Sequence, residues 1–127
     1  MDAAIERALE LNDRLLYNLY FERAEFQRLT GAPEPAIEDY RAVLEFGSGN
    51  RDRNLISQAL LGLVLSEMTS GRWLHHGTRD DARAALFRAR QIASDADIQL
   101  TVQLAEQVTT MLDAQDRAPD GVRLFLL

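Results

Sequence analysis

The sequence predicts an all-α fold of antiparallel helical hairpins, five helices or six, stacked side by side. Three observations carry it. The stretch from Tyr17 to Phe46, YNLYFERAEFQRLTGAPEPAIEDYRAVLEF, reads as two amphipathic helices joined at Gly31-Ala-Pro-Glu-Pro. Small residues fall midway along successive helices, at Ala24, Gly62 and Ala105, where neighbouring rods would cross. Helix-starting signals at Asn50, Thr78-Arg-Asp-Asp81 and Ser94-Asp-Ala-Asp97 punctuate the rest of the chain.

Taken in order, residues 2–11 place Ala4, Ile5, Ala8, Leu9 and Leu11 on one side of a helix. Asn12-Asp13 is read as a break, because both side chains satisfy free backbone groups at helix ends; a single helix through residue 29 is the alternative. The next helix covers about 14–29 and is expected to bury Leu15, Leu16, Leu19, Tyr20 and Phe26, with Tyr17 and Phe21 as a second apolar strip. Gly31 supplies a left-handed helix end, and Pro33 or Pro35 starts a helix of about 34–46, where a missing N–H costs nothing. That helix buries Ala36, Ile37, Tyr40, Val43, Leu44 and Phe46. Gly47-Ser-Gly-Asn50 reads as a turn, with Asn50 capping a helix of about 51–69. Its run LISQALLGLVLSEM is apolar on most sides, which predicts a central position. Gly62 weakens it by about 1 kcal/mol relative to Ala, so close approach of a neighbour is its expected reason. After the loop SGRWLHHGT, a helix of about 79–93 buries Ala82, Ala85, Leu86, Ala89 and Ile92, and one of about 96–115 buries Ile98, Leu100, Val102, Leu104, Ala105, Val108, Met111 and Leu112. Ala118-Pro-Asp-Gly is a turn, and the VRLFLL that follows has five apolar residues in six. Such a tail is an aggregation hazard in water. The domain is therefore expected to cover 1–116, with residues 117–127 docked on its own groove or a neighbour's.

The central stretch resembles the tetratricopeptide repeat. Ala24, Gly31, Ala36, Tyr40 and Val43 fall where that family has a small mid-helix residue, a glycine and a small–aromatic–small spacing; Val43 departs from the usual Ala, and Gln27 stands near an expected aromatic. The resemblance covers one clear unit and two degenerate ones. From Ala36 to Ala82 is 46 residues. The family repeat is about 34, and insertions of about four residues near Gly47–Asn50 and about eight near 72–80 account for the excess. It implies a short right-handed superhelix whose concave face holds an extended peptide or a partner helix.

Composition narrows the function. One domain of 127 residues, net charge −6, does not suit non-specific nucleic-acid binding. There is no Cys, hence no disulfide or thiolate site. No apolar run reaches the ~18 residues of a membrane helix, and MDAAIERALE is not a secretory signal, so a cytoplasmic setting is expected. All 14 basic residues are Arg, which fits a GC-rich bacterial genome. No nucleophile motif, phosphate loop or HExxH is present, so no enzyme and no cofactor is expected.

The resemblance puts the binding face on the first helix of each unit. Counting from Ala24, Gly62 and Ala105, its positions are Asn18, Phe21, Glu25, Arg28, Ile56, Ala59, Leu63, Glu67, Val102 and Glu106, an apolar centre with a charged rim. The other account is that Phe21, Ile56, Leu63 and Val102 are plain core. A clamp for a C-terminal carboxylate is not expected, because Glu25, Ala59 and Leu63 occupy the places where cationic or amide groups would be needed. The loop Arg72-Trp73-Leu74-His75-His76 is a second candidate interface, since Trp and Arg favour such positions. A metal on His75 and His76 with Asp80 and Asp81 lacks a third ligand at helical His spacing. Arg79, Arg83 and Arg90 share a face, either for an acidic partner or paired with local acids. The predicted function is protein–protein interaction, as an adaptor, chaperone-like holder or assembly factor. The alternative is a self-associating helical bundle, a homo-oligomer with no peptide ligand.

Overall fold

The longest element of the chain is its first helix, α1 (Ala3–Leu29), followed by α2 (Pro33–Gly49), α3 (Arg53–Ser70), α4 (Arg79–Asp95) and α5 (Gln99–Arg117). The computed structural model describes residues 3–73 and 75–117, apart from the side chains of residues 3 and 5–10. Among the described residues all regular structure is helical. The short connections reverse the chain at each step. Each helix packs on its neighbours in sequence, and α3 also touches α1 and α5. The core accordingly surrounds α3, in which Leu55, Ile56, Ala59, Leu60, Leu61, Leu63, Val64 and Met68 are all buried. No described helix is long and apolar enough to cross a membrane.

Most helix ends follow from local chemistry. Gly31 takes φ +88 after α1, and Gly71 takes φ +74 as the left-handed cap of α3. Pro33 opens α2. Thr78 Oγ1 accepts the Asp81 N–H at 3.0 Å, as its capping spacing predicts.

Several expectations are corrected. Asn12-Asp13 lies inside one continuous α1. Each residue costs under about 0.7 kcal/mol in a helix interior, whereas ending a helix there would orphan backbone groups on both sides. Most of the stripe expected to be buried on α1 is open to solvent. Leu15, Leu16, Leu19 and Phe26 are exposed, whereas Ala24 is buried and Tyr17, Tyr20 and Phe21 are half-buried. Tyr17 stacks on Phe46 at 4.2 Å between ring centres, and Phe21 meets Tyr40 edge-on at 5.9 Å. Ala4 and Leu11 are exposed as well, while Ile5, Ala8 and Leu9 fall among the side chains left out.

Gly47-Ser-Gly belongs to α2 rather than to a turn. A β-carbon at Gly47 would stand 3.3 Å from Ile56 and Leu55, so this glycine serves the close approach of α2 to the start of α3. Asn50 is the C-cap of α2, donating through its side chain to the Phe46 carbonyl at 2.9 Å. Asp52 is the N-cap of α3, its Oδ1 accepting the Leu55 N–H at 3.2 Å. Ser94 sits in the last turn of α4 and its carbonyl accepts the Asp97 N–H, so it caps nothing downstream. In α5 the buried side is Thr101, Ala105, Val108, Leu112 and Gln115; Leu100 and Leu104 are exposed, and Ile98, Val102 and Met111 are half-buried. The tail at 118–127 lies outside the described residues.

Candidate functional site

Because α1, α3 and α5 lie side by side, a groove runs between them, about 400 Å³ in volume. α1 contributes Phe21, Glu25 and Arg28; α3 contributes Gln58, Leu61, Gly62 and Leu65; α5 contributes Leu100, Thr101, Leu104 and Val108. The lining is mostly apolar, and Leu100 and Leu104 stand open to solvent at its edge.

One polar cluster marks the α1 side. Arg28 donates from Nε to the Tyr40 hydroxyl at 3.1 Å and from Nη2 to Glu25 Oε2 at 2.9 Å, and Tyr40 donates its hydroxyl proton to Glu25 Oε1. Burial, reinforced by the hydrogen bond to Glu25, pushes the Tyr40 hydroxyl well above the usual phenol pKa, so it stays a donor. Burial also works against the Arg28 charge, but Tyr40 and Glu25 outweigh it and raise the guanidinium pKa further. Glu25 and Arg28 thus offset each other. The cluster offers a directional hydrogen-bonding edge rather than a net charge.

The groove recruits only part of the face expected from sequence. Phe21, Glu25 and Arg28 line it. Asn18 is exposed on α1 but does not. On α3, Ile56, Ala59 and Leu63 are buried in the core, and Gln58, Leu61, Gly62 and Leu65 take the groove positions. On α5, Val102 is half-buried and Glu106 pairs with Arg90 at 3.0 Å beside a second cavity of about 380 Å³ between α4 and α5. That cavity is lined by Arg83, Leu86, Phe87, Arg90, Glu106 and Thr109.

Glu67 departs furthest from expectation. It is 0% exposed, and its Oε2 accepts the backbone N–H groups of His75 at 3.1 Å and His76 at 3.0 Å, while Oε1 meets His76 Nδ1. Burial alone would raise its pKa, but the His76 contacts outweigh that and hold it below the usual carboxylate range. Glu67 therefore anchors the α3–α4 loop instead of facing a ligand. Within that loop Trp73 packs on the core and carries the Arg79 guanidinium 5.4 Å from its ring centre. Arg72 reaches Glu34 at 3.8 Å. Burial, with the neighbouring His76, lowers the His75 pKa. Leu74 lies outside the described residues.

Among the described residues no cluster of His, Asp and Glu could hold a metal. Arg79, Arg83 and Arg90 on α4 are paired: Arg79 with Asp116, Arg83 with Asp113 at 2.8 Å and with Asp116, and Arg90 with Glu106. The Arg79–Asp116 contact and the hydrogen bonds of Arg83 hold the Asp116 carboxyl below its usual range against the opposing effect of burial. Comparison with protein-family models, with curated proteins and with solved structures found no match to the chain.

Proposed function

We propose that this chain is a protein–protein interaction module of tetratricopeptide-like build, a short right-handed stack of helical hairpins that acts as an adaptor, chaperone-like holder or assembly factor in a bacterial cytoplasm. The observation that carries the reading is the groove between α1, α3 and α5, whose apolar lining of Phe21, Leu61, Leu65, Leu100 and Leu104 ends on the Glu25–Arg28–Tyr40 cluster. The contact order also supports it, because odd-numbered helices lie against one another while each binds its neighbour in sequence. A partner segment would place two or three apolar side chains on the leucines. One backbone or side-chain polar group would meet Arg28 or Glu25 at the edge. No catalysis and no cofactor enters this reading.

The test is selection from a displayed library of random twelve-residue peptides on the full chain. Enriched peptides carry spaced apolar residues and bind with micromolar affinity. Leu104→Glu places a charge in the groove at an exposed position and weakens them by about 10-fold or more. A failure to enrich any peptide, or peptides that bind Leu104→Glu equally well, overturns the proposal.

A further inference from the structure

α1 carries two apolar faces on opposite sides. One, at Ala24 and Phe21, meets α2 and α3. The other holds Leu11, Leu15, Leu19, Phe26 and Leu29, with Leu16 at its margin; these are 52%, 61%, 61%, 68%, 72% and 43% exposed. At 3.6 residues per turn the five fall within about a quarter-turn of one another, opposite Ala24, and extend for about 27 Å. The footprint is roughly 300 Å² before side-chain relief is counted, the size of the largest apolar patch on a typical monomer, which is often functional.

The two ends of the stack differ. In an array of stacked hairpins the terminal helices need polar outer sides. α5 largely obeys, with Gln103, Gln107 and Thr110 exposed opposite its buried Ala105 and Leu112, although Leu100 and Leu104 stand exposed at the groove edge. α1 does not. We propose that the outer face of α1 binds the same face of a second copy of this chain, two-fold and antiparallel, so that two stacks join end to end through α1 and the α5 ends remain outside.

The spacing of the stripe fits that symmetry. In a two-fold pair residue i meets j and j meets i. About the midpoint between Tyr20 and Phe21, Leu15 mirrors Phe26, Leu19 mirrors Glu22, and Leu11 mirrors Leu29 within one residue. Glu22, the one acid in the stripe, then faces a leucine. Parallel pairing in register would set Glu22 on Glu22, so this acid selects the antiparallel arrangement. Head-to-tail pairing of α1 on α5 would bury leucines against glutamines and would not close.

Sedimentation equilibrium on the full chain tests this. Two such footprints bury less than a standard interface, which predicts a weak dimer, so at about 1 mM the wild type sediments toward twice 14.3 kDa. Leu15→Glu returns it to 14.3 kDa with unchanged helical circular dichroism, raising the dissociation constant by about 100-fold or more. Leu15→Glu combined with Phe26→Arg restores the dimer, because each glutamate then meets the partner's arginine; the two positions lie about 16 Å apart within one helix and cannot pair there. A monomeric wild type, a Leu15→Glu protein that still dimerises, or a double variant that stays monomeric overturns the proposal. So does loss of the dimer on deleting residues 118–127 while Leu15→Glu retains it. Peptide binding in the groove on the other side of α1 is a separate readout, which Leu15→Glu leaves in place.

Discussion

The Tyr40 ring lies directly against the backbone of α3 at Gly62, filling the space that any β-carbon there would occupy. Tyr40 in turn reaches the groove cluster through its hydroxyl, bonded to Glu25 and Arg28. The glycine thereby sets how closely α2 approaches α3 and where the polar edge of the groove stands.

Gly62→Ala therefore destabilises the protein by about 2–4 kcal/mol in urea unfolding, although alanine is worth about 1 kcal/mol more than glycine in a helix. Placing Gly62→Ala in a Tyr40→Leu background recovers at least 1 kcal/mol of that loss, because the contact is shared. Additive effects in the double-mutant cycle would show that the ring is not the obstacle.

Glu67→Ala leaves the His75 and His76 N–H groups without their acceptor and costs about 2–4 kcal/mol. The pH dependence has a definite sign. The folded state holds the Glu67 carboxyl below its unfolded pKa, so the folded state binds fewer protons and stability rises with pH. Its contribution is complete above the ordinary glutamate range, and is lost as pH falls through that range toward the lower folded value. Denaturation midpoints measured between pH 3 and pH 7, as a rough window around that carboxyl, are flatter for Glu67→Gln than for wild type. Parallel profiles would remove Glu67 from the acid response.

Ser66 is fully buried in α3, and its hydroxyl has no hydrogen-bond partner among the described residues. Ser66→Ala removes a desolvated polar group and adds helix propensity. The expected result is a gain of about 0.5–1.5 kcal/mol, read as a higher midpoint at unchanged m-value. A loss of stability would mean the hydroxyl is satisfied.

Much of the fold is legible in the sequence where one residue type admits one role. Ala24, Ala36, Tyr40 and Val43 are all 0% exposed, as the hairpin spacing requires. The apolar run around Leu60 to Met68 does become the central helix. The misreadings share a cause: hydrophobicity tells which residues avoid water but not which neighbour covers them. α1 has apolar residues on two sides, and leucines look more buried than tyrosines until Tyr17 finds Phe46 and Phe21 finds Tyr40. Gly47 carries a turn residue's identity, but its role is packing, set by Ile56 nine positions on. On α1 the groove takes Phe21, Glu25 and Arg28 from the expected face but not Asn18, and on α3 it takes neighbours of the expected residues. A nearly all-apolar helix gives no angular reference there, and Gly62 marks the contact with Tyr40 rather than the centre of the open face. The role of Glu67 had no signal in its own neighbourhood, because its partners are backbone groups eight and nine residues later.

The anchored loop bears on how the molecule would recognise anything. A connection as long as 71–78 would ordinarily let α4, and α5 packed on it, swing on α3. Pinned at three atoms to an internal carboxylate and pressed down by Trp73, it has lost that swing, and the walls of the hollow keep their spacing before a guest arrives. A partner segment of the proposed kind would then lose little ordering entropy on docking, and its selection would rest on the shape of the leucine lining rather than on any closing motion.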